Sequence, residues 1–189
     1  MQGESTAQAA SPATAGSIAP FYADWPAYNR RVVEHIRGLS AEDLALSSGA
    51  GHDYWPIWAI ASHAVGARVF WLCSVFGEPG AETTPFTDPT GFGWEDDLAD
   101  VRTAEEVAGA WESTWAVVQG CLDRWTPESL GETARRQGRS GVQVHTRQSI
   151  LLRLITHEAY HSGEIALIEG LHGRPQLDPW PARDWLEER

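Results

Sequence analysis

Three histidines carry the chemistry this sequence is equipped to do. His157 and His161 stand four residues apart. At helical spacing both imidazoles lie on one face, one turn apart, close enough to share a metal ion. The same stripe holds Ile150, Leu154, Ile165 and Ile168, so the pair looks toward the core, where titratable side chains are uncommon. His63 repeats the pattern elsewhere, with Ala59, Ile60, Ala67 and Phe70 as its helical neighbours. A lone histidine on such a face is ordinarily a satisfied core residue. Three neutral imidazoles meeting inside a fold are costly without a cation. The expected cofactor is therefore one divalent transition metal, zinc or nickel first and iron or manganese next, on His63, His157 and His161. Glu164, three residues after His161 and beside the same stripe, is the expected catalytic group, either orienting His161 or acting as a base.

A competing motif overlaps this one. Residues 157–161 read His-Glu-Ala-Tyr-His, the HExxH pattern of zinc peptidases with Glu158 as the general base. The extended form with a third histidine downstream does not match, and Glu158 points roughly 100° away from His157 on a helix. The peptidase reading is the weaker one. Tyr160, His52, Asp53 and His145 are candidates for the rim of a pocket, against the plainer reading of packing or loop polarity. Trp55 and Trp58 are candidates for its apolar wall, although ten tryptophans mostly mean core.

The elements that must position these residues are helical. Apolar periodicity predicts a first helix over residues 19–37, ended by Gly38. Ser40 caps a short turn over 41–46, with Asp43 three residues on. After a Ser/Gly-rich loop over 47–54, Pro56 falls in the first turn of a second helix, which runs to about Phe76. Residues 80–100 are irregular and long enough to cross a bundle. Thr103 and Glu106 form a capping box for a third helix ending near Trp125. Residues 132–145 read as a small hairpin or a loop. A fourth helix runs over 147–171, capped by Thr146 and stopped by Gly173 and Pro175. Trp180 and Trp185 in the tail are expected to fold back. The expected fold is all-α: a four-helix bundle with a long crossover between helices 2 and 3.

Bulk properties narrow the function. The 189 residues suit one domain, expected over 18–189 behind a flexible tail over 1–17 rich in Ala, Ser, Thr and Gly. The net charge of −12 disfavours nucleic acid. No run reaches the roughly 18 uninterrupted apolar residues of a membrane span, and no secretory signal is evident. All fourteen basic residues are Arg, which rules out a Schiff-base or P-loop lysine in this chain. Arg135, Arg136, Arg139 and Arg147 form a cluster that reads first as a solvated face and second as an anion contact near the site mouth. Cys73 and Cys121 match no redox or metal spacing, and a reduced, cytoplasmic setting is expected.

The block Trp55-Pro56-Ile57-Trp58-Ala59-Ile60-Ala61-Ser62-His63-Ala64, the later His157 to Ile165 block and Gly173-Arg174-Pro175 resemble the DinB-like (YfiT-like) metalloenzyme superfamily over about residues 18–175. The resemblance implies a four-helix bundle, often dimeric, with a divalent metal on three histidines, here His63, His157 and His161. Some relatives are thiol-dependent transferases or isomerases using mycothiol or bacillithiol. The family often has Arg-Gly-Gln after the last histidine, where this chain has Ser162-Gly163-Glu164. That departure would alter what orients His161 or disfavour an anionic substrate. The expected function is a metal-dependent enzyme of transferase or hydrolase type acting on a small molecule, with a low-molecular-weight thiol as a candidate partner and a homodimer as the candidate assembly. The alternatives are a non-catalytic metal or small-molecule binding protein and a metal-free partner-binding module.

Overall fold

A proline decides where the first long helix begins. The computed structural model describes residues 16–49, 54–86 and 98–180. Within them the expected helix over 19–37 is split into a 3₁₀ turn, Ala19–Tyr22, and α1, Trp25–Arg37, with Pro26 in its first turn. Pro26 offers no N–H, and its ring would collide with the carbonyl four residues earlier, so no α-helix continues through it. α2 is the short Ala41–Leu44, closed by the Ser40–Asp43 capping box.

α3, Ile57–Val69, follows Pro56, which adopts an extended N-cap conformation one position before the expected helical one. It continues into a π-helical turn, Phe70–Val75. α4, Ala104–Arg124, opens on the Thr103–Glu106 capping box. The mixed segment resolves as a hairpin, β1 (Thr133–Gly138) and β2 (Gly141–Thr146), antiparallel with Gly138 opposite Gly141. Only Arg139 and Ser140 separate the strands, and Gly141 takes φ +124°, a conformation open to glycine. α5, Arg147–Leu171, starts at Thr146, which caps it reciprocally with Ser149. The protein is thus predominantly helical, with one two-stranded sheet among the described residues.

The four long helices share one core. α4 packs against α1 and α3, and α3 packs against α5. Val32, Ile36, Ile57, Trp58, Val65, Leu72, Trp111, Val118, Leu122, Leu154 and Ile165 fill the interior. Of the described residues, only 57–75 is long and apolar enough to match a membrane span, and two-thirds of it is buried inside the protein's own fold. Its composition reflects a central position in this core.

At the middle of that core lies a charged pair. Arg68 and Glu158 are both fully buried, 2.7 Å apart. Arg68 donates through Nε and Nη2 to Glu158, through Nη1 to the Trp111 carbonyl and Thr114 Oγ1, and through Nη2 to Asn29 Oδ1. Its five N–H groups find five acceptors. Trp25 Nε1 donates to the same carboxylate at 3.0 Å. A buried charge survives only when paired and hydrogen-bonded, and this one engages α1, α3, α4 and α5 together.

The chain after α5 is also fastened. Buried Glu169 accepts from His35 on α1 and from the Leu177 N–H. Trp180 then lies 5.7 Å from Tyr28, ring to ring, as the tail was expected to do. At the other end Ser17 and Ile18 are already buried, with the Ile18 N–H on the Trp125 carbonyl. Most of the expected N-terminal tail, His52 and Asp53, residues 87–97 of the expected crossover, and Trp185 lie outside the described residues.

Candidate metal centre

α3 and α5 bring the three histidines together. His63 Nε2 faces His157 Nε2 at 3.1 Å. The ring centroids are 4.9 Å apart for His63–His157, 5.0 Å for His63–His161 and 4.5 Å for His157–His161. One ligand nitrogen from each ring lies within 4.8 Å of the other two. The contact between residues nearly a hundred positions apart follows from the packing of α3 on α5, and the Arg68–Glu158 bond ties the same two helices beside it.

The electrostatics favour neutral imidazoles. Burial, then the nearness of His161 and His63, pushes the His157 imidazole down to about 4. His161 is also held below its ordinary value, burial outweighing the opposing pull of Glu164. Neutral imidazole is the form that ligates a metal. His161 donates from Nδ1 to Glu164 Oε2 at 2.9 Å. That bond fixes the tautomer and leaves the Nε2 lone pair free to ligate, the arrangement in which metal-bound histidines are usually held. An ion at about 2.0–2.1 Å from each nitrogen sets tetrahedral ligands about 3.3 Å apart. Three close nitrogens, that of His161 oriented by Glu164, fit such an ion.

The surroundings sort the other expectations. Trp55 packs edge-on against His63, 5.4 Å between centroids, and so flanks the site. Trp58 does not: it is 2% exposed and belongs to the core. Tyr160 is 70% exposed with its ring 5.1 Å from His161, a place on the rim rather than in the packing. Glu158, the would-be base of the HExxH reading, turns away from the histidines into the ion pair with Arg68. Its 0% exposure closes it to any substrate. Both cysteines are free, and burial raises the Cys73 thiol to about 11 and the Cys121 thiol further still, so neither is poised as a nucleophile.

The arginine cluster divides. Arg147 is paired with Glu78 and Glu132. Arg136 instead leans over Phe70 and Trp71, 5.3 Å from each ring centroid. Arg153, unremarked in the sequence, lies 4.7 Å from the Trp71 centroid, and His145 lies 4.8 Å from it. Arg153 precedes His157 by one helical turn, a spacing that was legible; that it shares the Trp71 ring with a hairpin arginine was not.

A predominantly helical fold with three converging imidazoles between two of its long helices defines the class. The chain belongs to the DinB superfamily, whose profile matches residues 27–165. A crystal structure of a DinB-like protein from Bacillus cereus ATCC 10987 has a similar fold, with a TM-score of 0.63 and 17% identity, covering 90% of this chain and 100% of that one. No curated protein matches this chain.

Proposed function

We propose that this protein is a metal-dependent enzyme in which His63, His157 and His161 hold one divalent transition ion, zinc or nickel by donor type. The observation that carries the reading is the convergence of three ligand nitrogens within 4.8 Å. Support comes from Glu164 on the far nitrogen of His161. Three protein ligands leave coordination open to water or substrate, the pattern of catalytic sites. When bound, the ion supplies a Lewis acid that makes a water or a thiol acidic near neutral pH.

The protein's own groups do the rest. Glu164 orients His161 and takes up a proton at its carboxylate. Trp55 walls the site on the α3 side and Tyr160 offers a hydroxyl at the rim. In this reading the four long helices form a four-helix bundle crossing over between α3 and α4, and the four-way bonding of Arg68 supports that arrangement. A small-molecule substrate, a low-molecular-weight thiol as co-substrate and a cytoplasmic setting complete the proposal.

Elemental analysis of the purified wild type beside His63→Ala and His161→Ala tests it. One equivalent of metal per chain in the wild type and a large loss in both variants is the expected result. Equal metal in all three would overturn the reading.

A further inference from the structure

Trp71 is the hub of a cluster of two guanidinium groups and an imidazole. Arg136 from β1 and Arg153 from α5 both place their guanidinium groups against its ring, 5.3 and 4.7 Å from the centroid. His145 from β2 stands at 4.8 Å. Among the described residues neither arginine forms an ion pair, whereas Arg37, Arg68, Arg102, Arg124, Arg147 and Arg174 all do. Arg30, Arg31, Arg135 and Arg139 form no ion pair among the described residues either; what sets Arg136 and Arg153 apart is the ring they share. Two nitrogens here are also buried with no hydrogen-bond partner, Arg136 Nε and His145 Nε2. Such groups carry a desolvation cost unless a ligand or ion meets them.

We propose that Arg136, Arg153 and His145, arrayed on Trp71, bind an oxyanion group, carboxylate or phosphate, of the small molecule whose other end reaches the three histidines. Guanidinium groups match both oxyanions with paired N–H donors. Their contact with the Trp71 ring holds the guanidinium groups in place. His145 enters neutral, because burial and then Arg153 and Arg136 hold it below its ordinary value, and a neutral ring still donates from one nitrogen. Arg153 lies four residues before His157, about 6 Å along the axis of α5. A ligand spanning both sites therefore carries its anionic group about one helical turn from its reacting atom. Glu164 does not oppose this. It lies after His161, on the other side of the triad from Arg153, and its carboxylate is engaged by His161. The expectation that Glu164 disfavours an anionic substrate accordingly gives way to one set by Arg153.

The placement of the reacting end rests on the metal-enzyme reading, but the anion site does not, and the test separates them. Metal-stripped protein is melted in rising inorganic phosphate against sodium chloride of matched ionic strength. Phosphate is expected to raise Tm in the wild type and in Arg30→Gln, an exposed arginine on α1. In Arg136→Gln/Arg153→Gln, and in Arg153→Gln alone, the apparent dissociation constant weakens about tenfold or more. Arg153 is exposed, so its single variant keeps the fold. Equal protection by chloride, no protection at all, or protection retained in the double variant overturns the proposal. Metal content measured on the same proteins shows separately whether the histidine reading stands.

Discussion

The Glu158 carboxylate and the Arg68 guanidinium meet 2.7 Å apart with both side chains closed to solvent, and this pair ties α5 to α3, the two helices that carry the histidines. Removing one partner leaves the other charged and buried, which costs about 3–5 kcal/mol. Glu158→Gln or Arg68→Met is expected to lower Tm by about 10 °C. Arg68→Met/Glu158→Leu loses less than the sum of the single changes, since no charge is stranded. Thermal melts of all three check this, and a Glu158→Gln protein melting like wild type would return Glu158 to the role of a reacting group.

Glu164 acts on the metal through His161. Glu164→Gln keeps a hydrogen-bond acceptor but removes the charge behind the imidazole. Metal affinity is expected to fall about 10–100-fold with Tm of the metal-free protein little changed. A competition titration against a chromophoric chelator reads the affinity, and an unchanged constant would remove Glu164 from the site's working parts.

Glu78 gives the fold an acid-sensitive joint. It accepts from Arg124, Trp125 Nε1 and Arg147. Burial works to raise its carboxyl, and the bonds from Arg124 and Trp125 outweigh it, leaving the group below its ordinary 4.5. In the unfolded chain the proton binds at the higher pH, so the stabilisation is complete above about pH 4.5 and drains away as pH falls through the folded value. Glu78→Gln should therefore melt below wild type at pH 7, with the gap closing as pH falls below the ordinary carboxyl value. A gap of constant width across that range would assign the effect to packing.

Gly141 sits at φ +124°, and no atom crowds the place a side chain would take. Gly141→Ala meets only the backbone cost, about 1–3 kcal/mol. The hairpin that carries Arg136 and His145 should loosen, weakening phosphate protection while metal content is unaffected. Metal loss in this variant would mean that the hairpin supports the histidines directly.

What could be read from the sequence was local. The 157/161 spacing and the isolated polarity of His63 on an apolar stripe follow from the helical period, and the caps at Ser40, Thr103 and Thr146 announce their helices within four residues. The partner of Glu158 was not legible, because Arg68 stands ninety positions away and nothing in its own stretch marks it as a core residue. The π-helical turn at Phe70–Val75 is equally silent, since a continuous apolar run fits either helix. The arginine cluster divides in space: Arg147 goes to Glu78, and Arg136 comes to the Trp71 ring that Arg153 also approaches only through the packing of the hairpin.

The fastening of Glu169 also says where this protein can be cut. The family-matched span stops at residue 165, but the carboxylate at 169 has no exposure and depends on His35 from one side and the Leu177 amide from the other. A fragment trimmed to the matched span would keep every histidine of the triad and lose this clasp, together with the last turns of the helix that bears two of them. The smallest self-sufficient unit therefore reaches at least to Leu177, a dozen residues past the boundary that sequence similarity alone would draw.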